Sequence, residues 1–557
     1  MAKKVDINLL LQKNVITQEQ LDKAKLEATK TGATIEKALE RLGFISEVEI
    51  VMALAQSLDI PFVDLTDYLI DPEVIKLVPE ALAKKYNAVP LFKISDTLTV
   101  AMADPEDVVA LDEIRIKAKV GIVEPVLSTQ GMIQGVIDQY YGAIGSAKEL
   151  VKGLTKEKLE ESIKGAKNVC GIAEEPPVIK LVNLIIVQSV KDKASDIHIE
   201  PAEDKVIIRY RIDGLLHEVQ EIPKHLQNAI TSRIKVMAKM DIAETRNPQD
   251  GRIQLKMENK SLDLRVSSFP TMHGENIVLR ILDKSSAILR LADLGFREKE
   301  LKDFDKLIRR PNGIILVTGP TGSGKTTTLY AALSLINTVE KNIITIEDPV
   351  EYEIPLIRQT QINPRAGLTF ANGLRSILRQ DPDVIMVGEI RDKETADIAI
   401  QASLTGHLVF STLHTNDAPS ALTRLVDMGI EPFLIASSVI GILAQRLVRV
   451  ICPKCKEKYT PSAEVFKDVG LAAGAELYRG KGCSQCRNTG YSGRLGIYEL
   501  LLVNEEIKNM VTAKLSAHEI RKKAVSLGMS TLYDDGLEKA KSGITSIEEL
   551  LRVTEEA

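Results

Sequence analysis

Between Gly313 and Leu333 the chain reads "GIILVTGPTGSGKTTTLYAAL": an apolar run, a glycine-rich turn and a run of good helix formers. No other feature restricts the fold as strongly. Gly319, Gly324, Lys325 and Thr326 fill the spacing G-x-x-x-x-G-K-[ST], which needs a strand feeding a helix through a tight loop. Glycines let backbone N–H groups approach phosphates, and the helix N-terminus adds partial positive charge. Gly319, Pro320, Thr321, Gly322, Ser323, Gly324, Lys325, Thr326 and Thr327 are therefore the expected ATP-binding loop. Lys325 is expected to reach the β- and γ-phosphates and Thr326 to ligate Mg2+. The strand needs parallel neighbours, and "NIITIED", "DVIMVGE" and "HLVFSTL" provide them. Short all-apolar runs separated by helical patterns predict a mostly parallel sheet covered on both faces.

Binding a nucleotide does not hydrolyse it. Hydrolysis needs an acidic group for the attacking water and positive charge for the transition state. "DPDVIMVGEIRD" offers Glu389, with Arg391 and Asp392 beyond it, and "ITIEDPVEY" offers Glu347 and Asp348. Both stretches end apolar strands, where parallel sheets bind ligands, although loop acids are often only solvated. His407 and His414 flank the run "LVFSTL". A lone histidine is more often structural, but His414 precedes the loop-like "TNDA" and is the better candidate for sensing the γ-phosphate. Upstream lie Arg209, Arg211, Arg233, Arg246 and Arg252. Most surface arginines are solvated or paired, yet P-loop enzymes often borrow one from another domain or subunit.

A chain of 557 residues exceeds one ordinary core, so three or four domains are expected. Leu10–Ala24 and Leu39–Ala53 form an imperfect repeat in which Thr17 and Ser46 can each cap a helix, giving a helical module over 1–62. Strands and helices mix over 63–145, a compact α/β subdomain. A Lys/Glu-rich linker is expected over 146–175 and a middle α/β domain over 176–285, with a hairpin turn at Asp213-Gly214. The ATPase domain then occupies 286–557. A net charge of −5 argues against a nucleic-acid partner. With neither a signal peptide nor an apolar run of about 18 residues, the chain is expected in the cytoplasm, reaching the inner face of the membrane through partners.

Of five cysteines, four form two C-x2-C pairs, Cys452 with Cys455 and Cys483 with Cys486, while Cys170 stands alone. Structural disulfides are rare in a reducing cytosol, and a thioredoxin-like redox site expects one such pair rather than two. The layout matches two knuckles closing one tetrahedral zinc site of four thiolates, so an insert over 450–490 is expected to hold structural Zn2+.

Taken with "TIEDPVEY", "VGEIRD", "TGHLVFSTLHTNDA", "ASDIHIEP", "RYRIDG", "NPQDGR" and the tetracysteine insert, the chain resembles the secretion ATPases of the type II secretion and type IV pilus family over essentially its whole length. The resemblance implies an α/β protein with a RecA-like P-loop ATPase core and a tetracysteine zinc insert. A small α/β (PAS-like) domain and a helical plus α/β N-terminal region would precede that core. It further implies a homohexameric motor that closes around ATP. By the family's motifs, Glu389 helps hold Mg2+, Glu347 polarises the attacking water, His414 lies by the γ-phosphate, and Arg211, Arg233 and Arg246 stabilise its charge. No distance in the sequence prevents the two glutamates from exchanging roles.

Within that family, the long N-terminal region and the cysteine insert make the chain look like an ATPase that extends type IV pili through an inner-membrane platform protein. The type II secretion ATPase is the near alternative, and a nucleotide-dependent binding switch without mechanical turnover is a further rival. The N-terminal repeat also resembles a domain that binds cyclic-di-GMP in some relatives. Such domains open each repeat with Arg-Leu-Gly, whereas Val5-Asp6-Ile7 and Thr34-Ile35-Glu36 stand here, so a helical docking module is expected instead.

Overall fold

The computed structural model describes residues 11, 16–32, 34–141, 176–258, 260–283, 289–461 and 476–554. The expected linker, Cys170 and Val5-Asp6-Ile7 lie outside these residues. The chain divides into two compact units, Met1–Ser285 and Ser286–Ala557.

The first unit begins with the helices Gln18–Thr31, Ile35–Arg41 and Glu47–Leu58. Thr17 and Ser46 cap the first and third of them, each in a capping box with Gln20 or Glu49. Leu21, Ala24, Leu39, Ile45 and Ala53 form the core of this repeat. The α/β segment that follows contains β1 (Tyr68–Leu69), β2 (Ala88–Ile94), β3 (Thr97–Met102) and β4 (Ile122–Leu127). β2 runs antiparallel to β3, and helix Val108–Ala118 crosses over to place β4 parallel to β3. Helix Pro176–Lys191 opens a second layer with β5 (Asp196–Pro201), β6 (Lys205–Ile212), β7 (Leu215–Pro223), β8 (Gln249–Met257), β9 (Lys260–Thr271) and β10 (Gly274–Asp283). The sheet order is β1-β8-β9-β10-β5-β6-β7. Asp213 and Gly214, at φ 49° and 89°, turn β6 into β7, because a two-residue hairpin of this kind needs positive φ at both positions. β1 belongs to the α/β segment yet pairs parallel with β8, and Tyr68 Oη donates to Glu258 O at 2.8 Å.

The second unit holds β11 (Gly313–Thr318), β12 (Ile343–Glu347), β13 (Arg358–Gln361), β14 (Val384–Val387), β15 (Leu408–Leu413), β16 (Val439–Ile451), β17 (Lys456–Tyr459), β18 (Leu477–Gly480) and β19 (Tyr491–Leu502). Seven of these form a sheet ordered β13-β12-β14-β15-β11-β16-β19, parallel throughout except that β19 runs antiparallel to β16. Every residue of β11, β12, β14 and β15 is buried, as a sheet covered on both faces requires. Ile314, Leu316, Ile346 and Val409 pack toward one helical layer, and Ile315, Val317 and Phe410 toward the other, where they share a core with Leu333 of helix Lys325–Ile336. Each such aliphatic side chain contributes roughly 1.5–3 kcal/mol when fully buried. The last helix, Ile547–Thr554, is tied to β16 by the buried Glu549, which accepts from Arg449 Nη2 at 2.8 Å.

Candidate functional site

β11 ends at Thr318, and the loop leading into helix Lys325–Ile336 bends at Gly319, Gly322 and Gly324, whose φ values are 145°, 80° and 88°. A Cβ on Gly319 would stand 2.4 Å from Gln445 O, so glycine is demanded by close approach as well as by φ. Gln445, in the middle of β16, also braces the loop by donating from Nε2 to Ser323 O at 2.7 Å. Ser323 is buried, its hydroxyl has no hydrogen-bond partner, and Pro320, Thr321, Gly322 and Thr326 face solvent. Lys325 folds back over the loop, with Nζ donating to Gly319 O at 2.8 Å and Pro320 O at 3.0 Å. Burial brings its pKa down to about 8, while Glu389 pulls the other way. The glycine cradle, the cation at its rim and the open Thr326 hydroxyl fit a polyphosphate with its Mg2+.

Three more groups converge on this loop. Thr415 N donates to Thr318 Oγ1 at 2.9 Å, and the two threonine hydroxyls meet at 2.7 Å, which seats the loop after β15 beside β11. That seating brings His414 to Glu389, with Nε2 to Oε2 at 3.4 Å, and Arg391 pairs with the same carboxylate. Glu389 is 12% exposed. The His414 pKa lies below its ordinary value, because of burial first and then the Lys325 charge, with Glu389 opposing. Lys325, Glu389 and His414 thus form one cluster at the C-terminal ends of β11, β14 and β15. Asp392 serves another purpose: it caps helix Lys393–Leu404 by accepting from Thr395 N at 2.8 Å.

Glu347 closes β12, the neighbour of β14, but the residue is only 3% exposed. Tyr330 donates to its Oε2, while Thr345 Oγ1 at 2.5 Å and Gln359 Nε2 at 3.2 Å donate to its Oε1. Burial raises its pKa, and these three bonds offset part of the rise. His407 lies at the opposite end of β15 from His414, its Nδ1 2.8 Å from Ala402 O, and stabilises the turn before the strand. Arg211, Arg233 and Arg246 belong to the first unit. There Arg211 lies 3.6 Å from Asp196 and donates from Nη1 to Gly214 O at 3.0 Å. Arg233 sits on helix Gln227–Met237, and Arg246 is exposed in the loop before β8.

The four cysteines meet. Their sulfurs all lie within 4.8 Å of one another, with Cys452–Cys483 at 3.9 Å, Cys455–Cys486 at 3.8 Å and Cys483–Cys486 at 3.6 Å. Zinc–sulfur bonds of about 2.3 Å in a tetrahedron give sulfur separations of about 3.8 Å, so the set fits Zn2+ with no position left open. Cys483 N and Gly490 N donate to Cys486 Sγ at 3.2 and 3.3 Å. β16 carries both Gln445 and the approach to Cys452, and seven residues of strand put the clasp about 23 Å from the loop brace.

Gln445, Tyr330, Thr415 and Gln359 are the site residues that sequence reasoning did not reach. The available signals were faint: a glutamine inside the apolar run "VIGILAQRLVRV" and a tyrosine inside the apolar "TLYAAL".

A family model described as "Type II/IV secretion system protein" matches residues 172–552, and one described as "MshEN domain" matches residues 58–147. The second match falls on the α/β segment rather than on the helical repeat. A type IV pilus assembly ATPase, PilB, of Myxococcus xanthus is 45% identical over 555 residues, covering 98% of this chain and 97% of the relative. A type II secretion system protein E of Xanthomonas campestris is 44% identical over 566 residues, covering 99% and 98%. The Legionella pneumophila ATPase DotB superposes with a TM-score of 0.51 at 21% identity, over 67% of this chain and 95% of that one, a likeness of fold.

Proposed function

Because the chain belongs to the family of type II/IV secretion system proteins, we propose that it is the motor that drives assembly of type IV pilin subunits. It is an ATPase, as its relatives are named. The observation that carries the pilus reading is the similarity to a pilus assembly ATPase from end to end, N-terminal region included. For the chemistry, the support is the cluster of Lys325, Glu389 and His414 around the glycine loop.

In this reading the loop N–H groups from Gly319 to Thr327 and the Lys325 ammonium hold the β- and γ-phosphates, and Thr326 and Glu389 hold Mg2+. The ion would neutralise charge building on the β- and γ-oxygens. Glu347 polarises the attacking water, supported by its place at the end of β12, adjacent to the β14 end that carries Glu389. His414 donates toward the γ-phosphate from its seat beside Glu389. Arg211, Arg233 and Arg246 supply the further positive charge, an assignment that rests on the family resemblance. Six copies form the working ring, and an inner-membrane platform protein receives the motion, so the chain attaches to the membrane through partners. Among the described residues, no helix is long and apolar enough to cross a membrane. Zinc at the cysteine clasp is structural and takes no part in hydrolysis.

The equally extended similarity to a type II secretion protein favours a second reading, protein secretion driven by the same motor. Deleting the gene separates the two. Loss of surface pili with secretion intact is expected; lost secretion with normal piliation would select the second reading.

A further inference from the structure

Tyr330 is fully buried on the helix that starts at Lys325, facing the end of β12. Its hydroxyl oxygen accepts from Glu351 N and from Gln359 Nε2, both at 3.3 Å. With two N–H donors pointing at the oxygen, its own proton must be donated elsewhere, and the group that accepts it is Glu347 Oε2. Gln359 is held in turn: its Oε1 accepts from Ile354 N at 2.7 Å and its Nε2 reaches Tyr352 O at 3.1 Å. The Tyr352 ring stands edge-on to Tyr330, centroids 4.7 Å apart. Glu347 is therefore gripped at both oxygens, by the phosphate-binding helix on one side and by β13 on the other.

We infer that Tyr330 is a positioning residue that orients the Glu347 carboxylate and keeps it ionised for the attacking water. The inference rests on the role proposed above for Glu347. Tyr330 lies on the same helix as Lys325 and Thr326, so any displacement of that helix by a bound polyphosphate is delivered to Glu347 through one hydrogen bond. The titratable groups facing Glu347 are Tyr330 from the helix and Glu351 and Tyr352 from the loop after β12; β14 brings the backbone of Gly388 there. Burial raises the Glu347 pKa and Glu351 adds to the rise, while the Tyr330 bond opposes both. Removing the hydroxyl therefore raises it further, and a base that must be ionised loses activity at a higher pH than before.

The test is steady-state Mg2+-dependent ATP hydrolysis by the full chain, from acid to neutral pH, for wild type, Tyr330→Phe, Glu347→Gln and the double variant. Tyr330→Phe is expected to lower kcat roughly tenfold or more, to leave KM for ATP within about twofold, and to move the acidic limb to higher pH. In the Glu347→Gln background the same change is expected to cost nothing more, since the two side chains act as a unit. A wild-type kcat and an unshifted profile for Tyr330→Phe, beside an inactive Glu347→Gln, would overturn the inference and leave the Glu347 role standing. Full turnover by Glu347→Gln would overturn that role and the inference with it. If Tyr330→Phe does not fold, Gln359→Leu removes the second bridging donor and carries the same expectation and the same refutation.

Discussion

Gln445 shows how one polar side chain inside an apolar strand can govern a loop distant in sequence. Its amide donates to Ser323 O, and its backbone oxygen sets the space that only Gly319 fits. Gln445→Leu keeps the volume and removes the donor, leaving Ser323 O buried without it. The loss of one neutral hydrogen bond is about 0.5–1.5 kcal/mol, so KM for ATP should rise about twofold to tenfold with kcat changed less. An unchanged KM would mean that the loop needs no brace. At this scale, Gly319, Lys325 and Thr326 were legible because the spacing is local and its chemistry is specific. Gln445, Thr415 and Tyr330 were not, because each acquires its role from a partner brought in by another strand or helix. For Gln445 that partner is 122 positions away.

Among the elements, β11, β12, β14 and β15 were readable because burial on both faces leaves an all-apolar run with no alternation to confuse it. β1 was not readable: two residues, Tyr68 and Leu69, carry no period, and only the edge of β8 makes them a strand. The caps at Thr17 and Ser46 lie between these cases, since capping boxes depend on residues three positions apart. The cysteine clasp was legible from its spacing, although the strand that links it to the phosphate loop was not. Metal analysis of purified chain should find one zinc per chain, and Cys483→Ser should lose it. Because the clasp is remote from the chemistry, the variant should lose thermal stability while retaining a near-normal KM for ATP. A chain without zinc that keeps its full stability would contradict a structural role.

At the scale of the whole molecule, the proposed site residues are distributed over both compact units. The second supplies the phosphate loop, both glutamates and His414, and the first supplies the candidate arginines. The sequence carries a change of strand pattern between the two units, from the alternating runs of β6 to the continuous apolar runs of β11. It also identified the family, because the motifs of both units occur in one chain. Whether this is a motor depends first on hydrolysis by the site at Lys325. The decisive measurement is Mg2+-dependent phosphate release by purified full-length chain, wild type beside Lys325→Ala. The account predicts sustained turnover by the wild type and background release by the variant, with the variant still folded. Equal turnover by both, or none by the wild type even with a platform protein present, would contradict it.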